Sequence, residues 1–260
     1  MARIHLFEFE DLPWFPGLLR NYMTDFLQFL SNRTGMYAPM VPALSAMLGR
    51  LEEPRIIDLG SGGGGGLIRL NAELRREVPG LEIRLTDRYP NVEAFRYTQS
   101  KADNFTYSTV PVDAREVPVE LRGLRTLFLS LHHFRPQDAR QILRDAVADG
   151  QPIAVIEAQE RSVPSILAML FSPLSVLIAT PFIRPFRWGR LLFTYLIPLV
   201  PLFVLWDGVV SSLRTYSVPE MEALIAGVEG KDRYNWDVGR RRAGPGAILY
   251  LIGSPKLREE

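Results

Sequence analysis

The stretch RIIDLGSGGGGG, residues 55–66, decides the fold class of this chain. Its first five residues, Arg55–Leu59, form a short apolar segment that is typical of a buried strand. A run of glycines follows directly, and residues 67–77 then place leucines on one face of a predicted helix. A glycine turn between a strand and a helix lets a ligand lie against the backbone, because no Cβ blocks it and the helix N-terminus offers free N–H groups. The stretch therefore predicts a ligand-binding strand–turn–helix unit.

Strands and helices alternate along the chain after this unit. The predicted strands cover 55–59, 81–85, 106–112, 126–131 and 151–157, and the predicted helices between them cover 67–77, 91–101 and 136–148. Such alternation implies a parallel sheet with helices on both faces, which right-handed crossovers build into a doubly wound, Rossmann-like α/β fold. Residues 12–51 are predicted to form helices before the sheet.

The end of the chain follows a different pattern. A helix is predicted at 219–227, and strands are predicted at 233–241 and 247–252 on either side of a Gly244-Pro245-Gly246 turn. A hairpin therefore closes the domain, and we expect its last strand to run antiparallel to its neighbours.

Acidic residues follow two of the predicted strands. Asp87 lies about 20 residues beyond the glycine turn, where a carboxylate can accept hydrogen bonds from both hydroxyls of a ribose. Asp113 follows the third predicted strand, where it could accept a hydrogen bond from an adenine amino group. The alternative for both residues is a purely local role in a loop or at a helix N-terminus.

Asp58 is an acid within a strand that should otherwise be apolar and buried. A buried carboxylate is costly unless it is paired. A cationic amino group of a ligand would compensate it, and so would N–H groups of the glycine turn, in which case Asp58 serves to hold the turn. Dinucleotide-binding enzymes ordinarily have an apolar residue at this position, although Gly60-x-Gly62-x-x-Gly65 also matches their glycine pattern.

Two of the three histidines of the chain, His132 and His133, follow the fourth predicted strand. In an open parallel sheet the ligand crevice lies at the carboxyl ends of the strands, where the strand order reverses. Either imidazole could therefore act as a general base, since it titrates near neutral pH. The alternative is one packed and one loop histidine without a role in proton transfer.

Five segments together resemble the class I S-adenosylmethionine (SAM)-dependent methyltransferases. Residues 56–65 resemble their motif I, and residues 85–87, 111–114, 127–134 and 150–157 are similar to the strand-end motifs that follow. The resemblance implies a seven-stranded sheet in the order 3-2-1-4-5-7-6, with SAM over strands one and two. The cofactor-binding residues that we predict on this basis are Asp58, Gly60, Ser61, Gly62, Gly64, Asp87, Arg88, Asp113, Ala114 and Ser130.

Composition excludes several other classes of site and partner. The chain of 260 residues contains no cysteine, which excludes disulfides, zinc–thiolate sites and a cysteine nucleophile. Its formal net charge of +1 does not favour nucleic acid as a partner. No group of histidines and acids has the spacing of metal ligands, so no metal site is predicted. The mixed, acidic first residues do not resemble a secretory signal, and a cytoplasmic protein is expected.

The segment 162–215 departs from the resemblance, because it is longer and more apolar than a minimal member of the family requires. Residues 162–183 and 191–206 contain no charged residue, and three arginines, Arg184, Arg187 and Arg190, lie between them. One interpretation is a helical cap that lines the site with apolar side chains and thereby selects a hydrophobic substrate. The others are a peripheral contact with the inner face of a membrane, with the arginines on lipid headgroups, a spanning hairpin, and a homodimer interface.

Four regions follow from these patterns: an N-terminal helical cap (1–51), a SAM-binding core (52–161), the apolar insertion (162–215) and the closing helix and hairpin (216–260). The function predicted is methyl transfer from SAM to a hydrophobic small molecule or lipid-like acceptor. The alternatives are a SAM-binding adaptor without catalysis and an NAD-dependent oxidoreductase. Against the oxidoreductase stand Asp58, the closing hairpin and the lack of a Tyr-x-x-x-Lys pattern.

Overall fold

The predicted first strand forms β1, Arg55–Leu59, at the centre of a seven-stranded sheet. The computed structural model describes residues 1–244 and 246–256. The strand order is β3-β2-β1-β4-β5-β7-β6, and β7 runs antiparallel to both β5 and β6 whereas the other pairs are parallel. The strands are β1 Arg55–Leu59, β2 Glu82–Thr86, β3 Phe105–Tyr107, β4 Leu124–Phe128, β5 Ile153–Glu157, β6 Tyr234–Ala243 and β7 Gly246–Pro255.

The predicted doubly wound sheet with a reversed last strand is therefore confirmed. Pro245, in the predicted hairpin turn, lies outside the described residues. The helices are α1 Gly17–Thr34, α2 Val41–Leu48, α3 Leu67–Leu74, α4 Val92–Gln99, α5 Pro136–Ala148, α6 Val163–Met169, α7 Ser172–Ala179, α8 Trp188–Leu191, α9 Leu199–Arg214 and α10 Val218–Ala226.

The third strand is much shorter than predicted. It ends at Tyr107 rather than at Val112, because Pro111 lacks an N–H group and the side chain of Ser108 bonds to the backbone of Val110. Val112 instead donates its N–H to the carbonyl of Asp87 over 2.9 Å. Residues 108–112 thus form a loop that runs beside the end of β2.

The sheet separates two apolar layers. On one face, α2 and α3 pack against Ile56 and Ile83, and on the other face α5 and α10 pack against Ile57 and Val155. All four of these strand residues are completely buried. Each such side chain contributes about 1.5–3 kcal/mol of hydrophobic stabilisation. Because helices cover both faces at the centre of the sheet, the carboxyl ends of these parallel strands are where a ligand can reach them.

The insertion packs on the outer side of α1 and forms a third apolar cluster with it. Phe15, Met23 and Phe26 meet Val176 and Val204 there. None of the described residues in 162–215 lines the cavity of the sheet, so the structure does not support the interpretation of the insertion as an apolar cap over the site. The reason is that α1 lies between the two.

Two of the arginines that were expected on lipid headgroups are used inside the protein. Arg190 is 1% exposed and forms an ion pair with the buried carboxylate of Asp25 on α1. Arg187 lies 2.8 Å from a carboxylate oxygen of Glu93 on α4. Burial raises the pKa of Asp25 and lowers that of Arg190. These pairs fasten the insertion to the core, and of the described charged side chains in 162–215 only Arg184 remains exposed.

The outer side of the insertion is an exposed apolar surface. Within the residues that the structure describes, no single helix is long and apolar enough to cross a membrane. Two pairs of consecutive helices reach the required length and hydropathy when the helices of a pair are counted together, but each pair is bent. The exposed apolar side chains that define this surface are Val163, Leu167, Leu170, Phe171, Leu174, Ile178, Phe182, Phe186, Trp188, Leu192, Tyr195, Leu196, Ile197, Leu202 and Trp206.

Candidate functional site

A cavity of about 420 Å³ lies at the carboxyl ends of β1, β2 and β4, where the strand order reverses. This is the place where open α/β sheets bind ligands, and the volume is within the range of small-molecule sites. The predicted site residues that line it are Gly60, Ser61, Gly62, Asp87, Arg88, Asp113, Ala114, Ser130 and His133.

The glycine turn is fastened to the end of β2. The N–H of Gly62 donates to Oδ2 of Asp87 over 2.7 Å, and the N–H of Ser61 donates to the carbonyl of Thr86 over 2.9 Å. Gly60 has a φ of +71°, a conformation that favours glycine. The turn is consequently held open toward the cavity with its backbone exposed to a ligand.

Asp58 does not reach the cavity. It is 2% exposed, and its two carboxylate oxygens accept hydrogen bonds from Ser61 Oγ at 2.6 Å and Thr126 Oγ1 at 2.7 Å. Burial raises its pKa to about 7, against the effect of these hydroxyls. The structure therefore shows the alternative role, in which Asp58 fastens the turn to β1 and β4, and it gives the predicted contact with a cofactor no support.

Gly64 also lies away from the cavity. Its φ is +90°, and a Cβ there would lie 2.6 Å from the hydroxyl of Thr98 on α4. The side chain of Gln28 on α1 donates to that hydroxyl and to the carbonyl of Gly63. Gly64 therefore lies at a packing position between α1 and α4, and the geometry gives its predicted cofactor contact no support.

Asp87 borders the cavity at the end of β2. Its Oδ1 accepts the N–H of Tyr89 over 2.7 Å, while Oδ2 accepts that of Gly62. Each carboxylate oxygen has a second lone pair that remains available to a ligand hydroxyl. Arg88 and Tyr89 also line the cavity, and Arg20 of α1 lies 4.9 Å from the Tyr89 ring. The predicted ribose position is thus formed by neighbouring residues.

Asp113 lines the cavity, but its side chain is already engaged. Both of its oxygens accept hydrogen bonds from the Arg115 side chain, at 3.0 and 2.7 Å. These bonds lower the pKa of Asp113. Asp113 lies in a loop and not at a strand end, and in this loop the side chain of Arg115, two residues further on, reaches its carboxylate. The loop thus presents to a ligand the backbone of 112–114 and a carboxylate that is already paired with Arg115.

Two polar groups at the cavity are without a partner in the described part of the chain. These are the hydroxyl of Ser130 and the side-chain nitrogen of Asn91, and both are buried. Leu129 has a φ of +49°, which is strained for a leucine and turns the chain at the cavity wall before Ser130. Unsatisfied buried polar groups are costly, and a polar ligand in the cavity would satisfy them.

His132 is buried behind the cavity wall. It is 2% exposed and does not line the cavity, and its Nδ1 lies 2.8 Å from Oε2 of Glu157 at the end of β5. The backbone N–H of His132 also donates to Glu157, over 3.1 Å. It is thus held by β5 without access to a substrate, which opposes its predicted role as a general base.

His133 lines the cavity but lies between two carboxylates. Its Nδ1 is 2.8 Å from Asp11 Oδ1 and 3.1 Å from Glu8 Oε2. Burial by itself lowers the pKa of His133, but these carboxylates outweigh it and raise the pKa to about 10. A protonated imidazole cannot accept a proton at neutral pH, so this geometry does not support the predicted general base.

The N-terminal segment forms the wall opposite the glycine turn. Sequence analysis did not identify these residues, which are His5, Glu10, Asp11, Arg20, Asn21, Thr24, Leu27, Ser31 and Tyr37. A signal was present: Asn21, Thr24, Gln28 and Ser31 recur at helical spacing along one side of α1. This polar stripe of α1 faces the glycine turn, as the hydrogen bond from Asn32 to the carbonyl of Gly65 at 2.8 Å illustrates.

Comparison with known proteins supports the fold. Neither a family model nor a curated protein sequence matches this chain. Among solved structures, PigF with SAH is 19% identical, with a TM-score of 0.50, and the match covers 94% of this chain and 63% of PigF. A Rhodobacter sphaeroides protein provisionally described as a Zn-dependent alcohol dehydrogenase is 14% identical, with a TM-score of 0.51, and the match covers 91% of this chain and 99% of that one.

An O-methyltransferase family protein from Burkholderia thailandensis is also similar, at 19% identity and a TM-score of 0.49. That match covers 86% of this chain but 57% of the Burkholderia protein, so this chain spans little more than half of the other's length. The likeness to PigF and to the Rhodobacter protein, at TM-scores of 0.50 and 0.51, shows a shared Rossmann-like fold and nothing beyond the fold.

Proposed function

We propose that this chain is a SAM-dependent methyltransferase. The observation that carries the proposal is the cavity at the reversal of strand order, which has the glycine turn on one side and Asp87 at its edge. The reversed β7 in the sheet is what the methyltransferase resemblance implies. PigF, a structural neighbour, was solved with SAH, the product that SAM leaves after methyl transfer.

The cavity residues fit the parts of SAM. The backbone of Gly60–Gly62 and the unpaired hydroxyl of Ser130 would hold the methionine part, Asp87 and Arg88 the ribose, and the backbone of 112–114 the adenine. SAM when bound supplies an electrophilic methyl group on a sulfonium centre. The contribution of the chain is to orient the acceptor and to exclude water, because such a methyl group needs little further activation.

An NAD-dependent oxidoreductase is the competing enzyme class. The common dinucleotide-binding sheet has the order 3-2-1-4-5-6 with parallel strands. Here β7 is inserted between β5 and β6 and runs in the opposite direction. A SAM-binding adaptor without catalysis is the competing non-enzyme class; the unpaired Ser130 and Asn91 at the cavity are compatible with it as well, so an assay of methyl transfer separates the two.

For the acceptor, we propose a hydrophobic small molecule or lipid-like compound. Leu27, Tyr37 and Phe128 give the cavity an apolar part, and the exposed apolar surface would place the enzyme on a bilayer. Lipid is favoured over a second copy of the chain because exposed Phe186 contacts both exposed Trp188, with ring centroids 5.1 Å apart, and the exposed cation Arg184, at 5.9 Å. Aromatic rings beside a cation suit the headgroup region of an anionic membrane.

Calorimetry with SAM, SAH and NADH on the purified chain tests the proposed cofactor. We expect SAM and SAH to bind with one molecule per chain and NADH to give no heat. Binding of NADH alone would overturn the proposal in favour of the oxidoreductase. Binding of SAM without methyl transfer to any apolar phenol, quinol or lipid would favour the adaptor.

A further inference from the structure

A buried cluster of two histidines and a carboxylate lies beside the cavity. Glu8, which is 1% exposed, places its Oε2 3.1 Å from His133 Nδ1 and 3.9 Å from His132 Nε2. Asp11 Oδ1 lies 2.8 Å from the same nitrogen of His133. Ligands that share one metal ion at about 2.0–2.2 Å from it are separated by similar distances.

The orientation of His132 is that of a metal ligand. Its Nδ1 lies 2.8 Å from Oε2 of Glu157 and is placed to donate its hydrogen to that carboxylate. Nε2 then carries the free lone pair and faces Glu8. A carboxylate on the far nitrogen of a ligating imidazole fixes the tautomer and raises its basicity, and it is the usual partner of such a histidine. Glu157 is itself completely buried and has no contact with the cavity.

The charge of the cluster also favours a dication. The carboxylates in contact with the histidines are Glu8, Asp11 and Glu157, and the one guanidinium in contact with these acids in the described chain is that of Arg214, 3.1 Å from Glu8. The Arg214 contact is to Glu8 Oε1, so that Oε2 is the oxygen that faces the two histidines. A divalent ion together with Arg214 would balance the three carboxylates while both imidazoles are neutral.

We propose that Glu8, His132 and His133, with Asp11 as a fourth ligand, bind one divalent transition-metal ion. Two imidazole nitrogens and carboxylate oxygens suit Zn²⁺, Fe²⁺ or Mn²⁺ and do not suit Mg²⁺ or Ca²⁺, which prefer oxygen ligands. His133 and Asp11 line the cavity, so the ion borders it. If the proposed function holds, the ion lies where it can bind and polarise an oxygen atom of the methyl acceptor.

The test uses the full chain, freed of metal with a chelator and then titrated with Zn²⁺ by calorimetry and with Co²⁺ by visible absorption. We expect one ion per chain and cobalt d–d bands. Glu8→Gln and Asp11→Asn each should weaken binding at least ~10-fold, and Glu157→Gln should weaken it by about 10–100-fold through His132. The matched control is His5→Asn, since His5 is the remaining histidine, lines the same cavity and is outside the cluster.

Thermal unfolding in the presence of chelator establishes that each variant is folded. Asp11→Asn should disturb the core least, because the side chain of Asp11 is 32% exposed. Equal binding by the wild type and by folded Glu8→Gln and Asp11→Asn would overturn the proposal, as would loss of binding in His5→Asn or no binding to the wild type. SAM binding to the metal-free chain is measured in parallel. If the metal-free chain binds SAM, the proposed function stands even when the titrations show no metal binding.

Discussion

The carbonyl oxygen of Thr24 lies directly above Gly63, where a Cβ would be only 2.8 Å away from it. Helix α1 therefore contacts the glycine turn through the backbone itself. This contact closes the cavity on the side opposite the sheet, and it explains why a glycine is required at a position that does not have a positive φ. The N-terminal segment is thus part of the site.

The first prediction concerns this contact. Gly63→Ala should lower the free energy of unfolding by about 1–3 kcal/mol, because the methyl group meets a backbone atom that cannot move without displacing α1. It should also weaken SAM binding, since the same displacement opens the cavity. Chemical denaturation and calorimetry measure the two effects. Gly17→Ala is the control, because a Cβ there meets nothing within 4 Å, and equal stability of the two variants would contradict the prediction.

The second prediction concerns Asp87. Replacement by alanine removes the acceptor of the Gly62 N–H and the proposed ribose partner, so SAM affinity should fall at least ~10-fold, or about 1.4 kcal/mol. Calorimetry on Asp103→Ala serves as the reference, since that carboxylate is exposed and pairs with Arg75 at a distance from the cavity. Unchanged affinity of Asp87→Ala for SAM would exclude the proposed ribose position.

The third prediction concerns the pH dependence of stability. The pKa of Asp58 is raised from 3.8 to about 7 by burial, so the folded state holds a proton that the unfolded state has released. Its contribution to stability is complete below pH 4 and is lost as the pH rises through 7. Over that window the wild type should lose up to ~4 kcal/mol more than Asp58→Asn, which has no titrating group at this position.

Denaturant titrations at pH 4, 6 and 8 measure this difference. An asparagine can still accept from one of the hydroxyls of Ser61 and Thr126 and donate to the other, so the variant should fold. If the free energies of unfolding of the wild type and of Asp58→Asn change with pH in the same way, the pKa of Asp58 is not raised and the prediction is wrong.

The fourth prediction concerns the exposed apolar surface. Trp188 and Leu196 are 78% and 76% exposed, and the double serine variant should bind vesicles of phosphatidylcholine and phosphatidylglycerol at least ~10-fold more weakly. Stability should change by less than about 0.5 kcal/mol, because neither side chain is in the core. Vesicle co-sedimentation measures the binding.

Serines at Val110 and Val119 form the matched control, since these residues are 67% and 70% exposed and lie on the core away from the insertion. The surface would instead be a dimer interface if the wild type does not bind vesicles but forms dimers in analytical ultracentrifugation, and if the Trp188/Leu196 double variant is monomeric.

The sequence by itself determined the sheet. The period of the apolar residues and the glycine turn after Leu59 predicted β1, β2, β4, β5 and the closing hairpin, because strand formation and turn geometry depend on neighbouring residues. The positions of Gly60, Asp87 and Ser130 at the cavity follow from the same local pattern, since all parallel strands end at one edge.

The tertiary structure decided which side chains are available. Asp58 lies in the expected strand, but hydroxyls of the glycine turn and of β4 donate to its oxygens, and Asp113 lies in a loop where Arg115 pairs with it. Likewise, only folding brings Glu8 against His132 and His133, and no spacing in the sequence encodes a contact between such distant segments. Strand and turn formation depend on neighbouring residues and could therefore be predicted from the sequence. The pairing and burial of side chains depend on residues that are remote along the chain, so only the tertiary structure decided them.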